Sequence, residues 1–365
     1  MTLTNSAGNS KTESNRPDNS MKCVSFPFSQ NAHPLTERLP TEPISLMQLG
    51  LVVLLEVSSL CLLLASPTLA QITPDNTLGN ENSIVTPNQT IRGAIADLIE
   101  GGAIRDSNLF HSFIEFNVGN GQRVYFDNPD GITNILTRVT GSNLSQILGT
   151  LGVNGSANLF LLNPNGINFG SNASLDVAGS FVASTADSTV FDNGFNFSAS
   201  DPNAPPLLTI NIPIGLQYGS NPGPVNVTGA SLGIDTGQTM ALLGGEVNLN
   251  GATLQVPGGR VELGGLSSPG TVALNGATSV SFPDGVQPAD ISLSNGSLVD
   301  VTNVNGGNIA INSANFDMSQ STLQAGLTSG ESIPDAVAGN ITINAQGNTN
   351  LSDKSLIANE PIPLI

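Results

Sequence analysis

The chain has 365 residues, of which 28 are acidic and 10 basic, and its formal net charge is -18 at pH 7. This charge argues against nucleic acid as a partner, because neutralising phosphates requires clustered Lys and Arg, and it disfavours anionic membrane surfaces for the same reason. Only 10% of the residues are charged, 4% are aromatic and 40 are glycine. With a mean hydropathy of +0.09 the chain is too apolar to be disordered, and its composition is typical of short strands separated by Gly and Asn corners.

The first 70 residues are predicted to be a targeting region. Residues 1–43 are polar and lack apolar periodicity, so we expect a disordered extension or sequence upstream of the true start. Residues 44–70 form a long apolar run that ends in small residues, which is typical of a signal peptide cleaved between Ala70 and Gln71. A membrane anchor is the alternative, but Glu56 lies in the middle of the run and no basic cluster follows it. We therefore predict no stable membrane insertion.

The residues that usually hold metals or carry out redox chemistry are scarce downstream of this cleavage site. Cys23 and Cys61 both lie upstream of it, so the mature chain would contain no disulfide and no thiolate. His111 is then the one remaining histidine, and we predict a packed, hydrogen-bonded side chain. Calcium-binding glycine repeats, EF-hand loops and Gly-rich phosphate loops are absent from the sequence. The sequence therefore predicts no metal, no cofactor and no catalytic residue.

Residues 71–230 hold the first group of predicted strands. Apolar and polar residues alternate there, for example over 113–117, which indicates strands with one buried face. Residues 91–99 have helical spacing, but glycines interrupt and follow them, so we predict no helix. A Pro-rich stretch at 201–206 is predicted to be a surface excursion that leads into a strand over 207–212.

Two similar turn sequences interrupt these strands. In Asn163-Pro164-Asn165-Gly166 the proline presets φ for the first corner, while Asn and Gly tolerate the left-handed conformation that a tight reversal requires. Ile167 resumes the apolar strand at once. The second sequence is Asn128-Pro129-Asp130-Gly131. Both are predicted to bend the chain sharply without ending the strands beside them.

Residues 231–365 are a succession of brief apolar segments, each followed by Gly or Asn. Six strands are predicted, over 231–234, 239–243, 246–249, 253–256, 260–263 and 271–274. The sequences of 307–312 and 339–344 are openly similar and indicate successive coils of a solenoid, the second with an insertion over 328–335. In such a fold Val, Ile and Leu fill the interior and Asn can stack in ladders. No polar cap follows the last segment, which favours a shortened chain.

Several linked segments together carry a family resemblance. They are residues 108–113, 134–141, 149–153, 158–170 and 175–181. In this order they resemble the filamentous haemagglutinin N-terminal domain of two-partner secretion, over roughly residues 72–230, and most closely the large exoproteins of cyanobacteria. One departure is that the Asn-Pro-Asn-Leu turn of well-known members is absent, and Asn128-Pro129-Asp130-Gly131 is the nearest sequence.

The resemblance implies an all-β fold, a right-handed parallel β-helix with an N-terminal β cap and short extra-helical hairpins. It implies a secretion domain over 71–230 and further coils over 231–365. A protein of this family is exported through the periplasm, is recognised there by the periplasmic domains of an outer-membrane transporter, and is secreted or held at the cell surface. The turn at Asn163, Pro164, Asn165, Gly166 and Ile167 is then the segment most important for secretion.

Two other functions remain open at this point. The first is a surface adhesin that binds carbohydrate or a cell-surface receptor along the solenoid. The second is a β-helix carbohydrate enzyme, which would need clustered carboxylates on one exposed face. The candidate pairs are Asp127 with Asp130 and Asp187 with Asp192. Because both pairs lie in turn-like or Ser/Thr-rich sequence, where Asp caps backbone amides, we predict a structural role for them and binding as the activity.

Overall fold

The structure is a computed structural model that describes residues 72–202, 213–276, 279–328 and 336–359. The predicted signal peptide, its cleavage site at Ala70 and Gln71, and the predicted strand over 207–212 lie outside these residues. So does most of the predicted insertion over 328–335. Within the described ranges the secondary structure consists of β-strands and one 3-10 turn, Gly79–Glu81.

The strands are numbered here in chain order. The first ten are β1 Ile72–Pro74, β2 Ser83–Ile91, β3 Ala94–Gly101, β4 Ala103–Arg105, β5 Asn108–Phe116, β6 Arg123–Asp127, β7 Asn134–Val139, β8 Ser145–Ile147, β9 Thr150–Asn154 and β10 Asn158–Leu162. The next eleven are β11 Ile167–Phe169, β12 Ser174–Asp176, β13 Phe181–Ser184, β14 Ser188–Phe191, β15 Asn196–Ser198, β16 Pro213–Tyr218, β17 Val225–Thr228, β18 Ser231–Gly233, β19 Thr239–Leu243, β20 Glu246–Asn250 and β21 Thr253–Gln255. The remainder are β22 Arg260–Gly264, β23 Gly270–Asn275, β24 Ser279–Ser281, β25 Asp290–Ser294, β26 Leu298–Asp300, β27 Asn308–Ser313, β28 Phe316–Ser319, β29 Thr322–Gln324, β30 Ile341–Ala345, β31 Thr349–Ser352 and β32 Leu356–Ala358.

Most of these strands wind into a parallel β-helix with three faces. Sheet A has the order β1-β5-β7-β10-β13-β19-β22-β27-β30, with β4 also on β5, and sheet C has the order β8-β11-β17-β20-β25-β28-β31. The third face is sheet B, β2-β3-β6-β9-β12, followed by sheet E, β18-β21-β26-β29-β32. One coil runs from sheet A through sheet C to the third face, as in β10, β11 and β12. The predicted parallel β-helix is therefore confirmed.

Strict register between coils places like residues above one another. In sheet A, Leu159 of β10 pairs with Ile135 of β7 on one side and with Phe181 of β13 on the other. All three side chains point into the coil and are fully buried there with the other inward Val, Ile and Leu residues. Since each coil buries its apolar face only against its neighbours, the stability of the helix comes from stacking.

Sheet D covers the outer face of sheet A and creates a second core. It is an antiparallel sheet, β15-β14-β16-β23-β24, built from two excursions of the chain between a strand of sheet A and a strand of sheet C. Phe160 and Leu162, which point out of sheet A, pack beneath Phe191 and Leu216 of sheet D. Strands β5, β7, β10 and β13 are therefore buried on both faces over most of their length, which explains the unbroken apolar run over 159–162 in β10.

The first coil carries added antiparallel strands on two of its three faces. Strands β1 and β4 both pair with β5 at the edge of sheet A. The β2–β3 hairpin extends sheet B through the pairing of β3 with β6. The predicted N-terminal β cap is thus confirmed, and residues 91–99, for which no helix was predicted, lie in β2 and β3 and the turn between them. The edge of sheet C receives no such strand among the described residues, and only Val118 forms a bridge to Ile147 of β8.

The predicted strands beyond residue 230 are present, and one has a different position from the rest. Those over 231–263 form consecutive coils, and the repeated segments meet where Ile309 pairs with Ile341. The segment over 271–274 lies in β23, which pairs antiparallel with β16 in sheet D rather than extending a coil. It differs because the chain leaves the helix after Gly264 and returns only at β25.

Candidate recognition site

The turn sequence at Asn163 forms the corner between β10 and β11, where sheet A turns into sheet C. The Asn163 side chain is fully buried, and its amide donates to the carbonyl of Asn143 and to Ser145 Oγ, both at 3.0 Å, in the preceding coil. Its Oδ1 accepts from the backbone N–H of Asn165 at 3.0 Å. This side chain therefore closes the turn and ties it to the coil before it.

The second half of the corner is pressed against the following coil. Gly166 has φ of +122°, and the N–H of Ile167 donates to the carbonyl of Pro224 at 3.0 Å. The N–H of Gly223 donates to the carbonyl of Pro164 at 2.8 Å, and a Cβ on Gly223 would lie 2.4 Å from the Asn165 backbone. A side chain at Gly223 is thus excluded by contact, and the corner is held from both sides.

Pro164 and Asn165 are the part of the corner that faces outward. Pro164 is half-buried and Asn165 is exposed, whereas the other three residues of the motif are buried. Both residues line one wall of an open groove of about 1620 Å³. The Asn165 amide also donates to the carbonyl of Gly141 at 2.8 Å and to Asn163 Oδ1 at 3.1 Å, so Asn165 is held in place where it faces the groove.

This groove, called here the corner groove, lies at the uncapped edge of sheet C. Its opposite wall is the β2–β3 hairpin, which contributes Asn88, Ile95 and Asp97. Its floor is the chain over 115–123 with Gln146 and Leu148 of the second coil. Ile95 is 60% exposed and Leu148 is 37% exposed, so apolar surface lies among the polar groups.

The charges of the corner groove are few and mostly negative. Asp97 Oδ2 accepts from the amide of Gln122 at 2.7 Å, and Glu115 Oε1 accepts from the amide of Asn143 at 2.6 Å. Arg123 is the cation of the groove lining, and its guanidinium donates to Tyr125 Oη at 2.7 Å and to the carbonyl of Ile91 at 3.1 Å. Amides and backbone thus dominate the surface offered to a partner.

The second turn, Asn128-Pro129-Asp130-Gly131, lies at a different corner, between sheet B and sheet A. Asn128 Oδ1 accepts from the N–H groups of Ser156 and Ala157 at 2.9 and 3.0 Å in the next coil. Asp130 and Gly131 are exposed, and Gly131 has φ of +86° with open space around it. Asn128 thus links its turn to the following coil by hydrogen bonds, as Asn163 links its turn to the preceding coil.

The structure does not bring the two turns together. One precedes β7 and the other follows β10, and these strands pair in register from Asn134 with Asn158 to Arg138 with Leu162. These five residue pairs make four steps of about 3.3 Å, so the turns lie at least about 13 Å apart along sheet A. They therefore belong to separate surfaces.

The carboxylate pairs considered for catalysis also lie apart. Asp127 and Asp130 flank the corner between sheets B and A, whereas Asp187 and Asp192 lie at β14 in sheet D. Across the described ranges no group of three or more His, Cys, Asp or Glu side chains is placed to hold a metal ion. Over the same ranges, no helix has both the length and the apolar character needed to cross a bilayer.

His111 is packed in the first coil, as its sequence context predicts. Its Nδ1 lies 3.0 Å from Ser83 Oγ, and its ring lies 5.2 Å from that of Phe126. Nε2 has no hydrogen-bond partner in the described part of the chain. Burial lowers the pKa of His111 to about 3, so the imidazole is neutral at physiological pH.

A buried polar network that the sequence did not reveal fastens the N-terminal strand. Arg138 is 1% exposed, and its guanidinium donates to Ser112 Oγ at 2.9 Å, Thr77 Oγ1 at 2.7 Å and the carbonyl of Ser198 at 2.6 Å. Asp75 accepts from Thr77 and Ser112 at 2.7 Å each. Burial lowers the pKa of Arg138 to about 10, although Asp75 opposes the shift. The one sequence signal was a basic residue inside an apolar strand.

Comparison with known proteins identifies the family. The family described as TPS secretion domain matches residues 70–311, which is more than half of the chain. The chain belongs to the TPS secretion domain family. This is a family of secretion domains of exoproteins in two-partner secretion, and it is not an enzyme family.

One curated protein and two solved structures are similar to this TPS chain. A heme/hemopexin-binding protein of Haemophilus influenzae is 38% identical over 79 residues, which are 22% of this chain and 8% of that protein. The TPS chain thus spans a small part of the length of this relative. The HMW1 secretion domain of Haemophilus influenzae superposes with a TM-score of 0.57 at 19% identity, covering 79% of this chain and 66% of that one. The filamentous hemagglutinin secretion domain gives 0.46 at 14% identity, covering 79% and 99%.

Proposed function

We propose that this chain is exported through the periplasm after cleavage between Ala70 and Gln71 and is recognised by the periplasmic domains of an outer-membrane transporter at the corner groove. The observation that carries the proposal is the division within the turn at Asn163. Asn163, Gly166 and Ile167 are buried in the fold, while Pro164 and Asn165 face the groove. The protein is then secreted or held at the cell surface. We place the boundary between the secretion domain and the further coils near residue 230.

The position of the corner groove supports this role. Sheets A and B are covered at their first edge by added antiparallel strands, whereas sheet C ends at the Val118 bridge. An uncovered sheet edge can accept a strand of a partner, and the neighbouring side-chain contacts then give specificity. The exposed Ile95 and Leu148 supply apolar surface at this edge. The groove therefore offers both backbone and side-chain contacts.

The test compares two double variants in a strain that carries the transporter. Pro164→Ala with Asn165→Ala alters the groove wall, whereas Pro129→Ala with Asp130→Ala makes a matched change at the other corner. The groove variant is expected to lower the secreted fraction about tenfold, which corresponds to a loss of about 1.4 kcal/mol in the free energy of binding. The control variant is expected to leave secretion unchanged.

The readout is the amount of protein in the culture medium against the periplasm, with urea unfolding of each purified variant. Normal secretion of a folded groove variant would overturn the assignment of the site. Normal secretion of the unaltered chain from a strain without the transporter would overturn transporter recognition itself. Protein N-terminal sequencing of the secreted chain tests the cleavage after Ala70.

A further inference from the structure

The outer face of sheet C carries a second groove, which shares Gln146 and no other lining residue with the corner groove. It has a volume of about 370 Å³ and spans the first four strands of sheet C, which are β8, β11, β17 and β20. Its polar lining, called here the amide trough, consists of Gln146, Asn168, Asn226, Thr228, Asn248 and Asn250. No lining residue of this groove is charged. The trough therefore presents only amide and hydroxyl groups.

The register of sheet C arranges these groups in straight rows. Gln146, Asn168, Asn226 and Asn248 pair in turn on neighbouring strands, so they form one row across four strands. Thr228 and Asn250 form a second row on the same face, two residues further along the strands. With a strand spacing of about 4.8 Å, the first row is about 14 Å long. This is the length of a short oligosaccharide.

The first row is partly satisfied by its own hydrogen bonds. The amide of Asn226 donates to Asn168 Oδ1 at 2.8 Å, and that of Asn248 donates to Asn226 Oδ1 at 3.1 Å. Each of these amides keeps a second N–H for an outside acceptor. Gln146 is exposed, and its side chain makes no hydrogen bond to the described part of the chain. Donors and acceptors are thus fixed in place and still available.

We propose that the amide trough binds a neutral polysaccharide chain. Sugar hydroxyls both donate and accept, which matches rows of amides that do the same at fixed spacing. An acidic polymer is disfavoured because the trough has no cation and the chain carries a net charge of -18. A protein partner would be expected to find aromatic or apolar anchors, and the trough exposes none. The proposal does not depend on transporter recognition.

The test is affinity electrophoresis of the purified chain in gels that contain dextran, laminarin, galactomannan or alginate. Retardation is expected with at least one of the three neutral polymers and is not expected with acidic alginate. Thr228→Val with Asn250→Leu removes two exposed trough groups and is expected to weaken binding about tenfold. Thr342→Val with Asn344→Leu is the matched control, since both residues are exposed on sheet A.

The control variant is expected to bind like the unaltered chain. Gln146→Met provides a second trough variant if the first does not fold, because the Gln146 side chain makes no hydrogen bond within the first row. An absence of retardation by all three neutral polymers would overturn the proposal. Equal retardation of the trough variants and the unaltered chain would overturn it as well, and stronger retardation by alginate would assign the surface to acidic polymers instead.

Discussion

The guanidinium carbon of Arg138 lies 4.3 Å from the ring centroid of Phe197, although the two residues belong to different sheets. Arg138 comes from β7 of the helix and Phe197 from β15 of sheet D, and the same guanidinium donates a hydrogen bond to Thr77, which follows β1. Replacing Arg138 with Met should leave Asp75 without its cation and several acceptors unpaired. We expect the free energy of unfolding in urea to fall by roughly 3 kcal/mol.

Arg123→Met is the control for this prediction. Arg123 is half-buried in sheet B and makes two hydrogen bonds there. Its loss should cost no more than about 1 kcal/mol. If the two substitutions lower the free energy of unfolding equally, burial does not determine how much the Arg138 network contributes to stability.

The contact between Gly223 and the Asn165 backbone gives a second prediction. Gly223→Ala would place a Cβ 2.4 Å from backbone atoms that cannot rotate away. We expect a loss of about 2 kcal/mol or more, measured by urea unfolding, because the whole corner must shift. Gly121→Ala meets no atom within 4 Å and has φ of +74°, so it should cost only the strain of that conformation, about 1 kcal/mol. The reverse order would contradict the packing described for the corner.

His111 should make stability depend on pH in the mildly acidic range. Burial lowers its pKa in the folded protein from 6.5 to about 3. Between these values the unfolded chain binds a proton that the folded chain does not, so stability falls as the pH is lowered. The slope should approach 1.4 kcal/mol per pH unit. His111→Phe should flatten the dependence of the free energy of unfolding in urea on pH. If the slope of that dependence is unchanged in the variant, His111 is not its cause.

Asp75 should act at lower pH. Burial alone would raise its pKa, but hydrogen bonds from Thr140, Thr77 and Ser112 outweigh that effect and lower the pKa below 3.8. Its contribution is therefore present above about pH 4 and is lost as the pH falls through the folded value. Asp75→Asn should keep the slope between pH 6.5 and 4 and remove part of the steeper fall below it, as seen in the same unfolding series.

Tyr125 fastens the β2–β3 hairpin to sheet B. Its Oη donates to Asp176 Oδ2 at 2.5 Å and accepts from Arg123 at 2.7 Å. Both partners of the hydroxyl reach the hairpin, because Asp176 pairs with Arg92 and Arg123 donates to the carbonyl of Ile91. Tyr125→Phe should speed amide hydrogen exchange over residues 83–101. Tyr218→Phe, which removes a similar buried hydroxyl in sheet D, should leave exchange in that hairpin unchanged. If the two variants show the same amide exchange rates over residues 83–101, the Tyr125 hydroxyl does not hold the hairpin on sheet B.

Much of the helix was predictable from sequence because its coils repeat. The strands over 231–263 were placed by Gly and Asn at each corner, and the similar segments at 307–312 and 339–344 do stack. The antiparallel position of 271–274 was not predictable, since a brief strand looks alike in a coil and in a hairpin. The second core was also hidden, although the unbroken apolar run over 159–162 was its signal.

The candidate site was predictable only in part. The sequence of Asn163-Pro164-Asn165-Gly166 indicates a turn, but it does not show which of its side chains face a neighbouring coil. That distinction depends on Ser145 and Gly223, which lie 18 residues before and several tens of residues after Asn163 in the chain. The corner groove combines segments from four coils for the same reason, and local patterns carry no information on such distant contacts.

The position of sheet D in the sequence determines when the first strands of sheet A are covered during synthesis. The outer faces of β5, β7 and β10 are complete by residue 162, yet the side chains that cover them come from β14 to β24, as far on as residue 281. A chain that is synthesised from its N-terminus must therefore hold its earliest strands incomplete while more than a hundred later residues are made. Contacts between such distant segments form slowly. The same architecture that is rigid when finished thus leaves the newly made chain for a long interval without the sheet that covers its first strands.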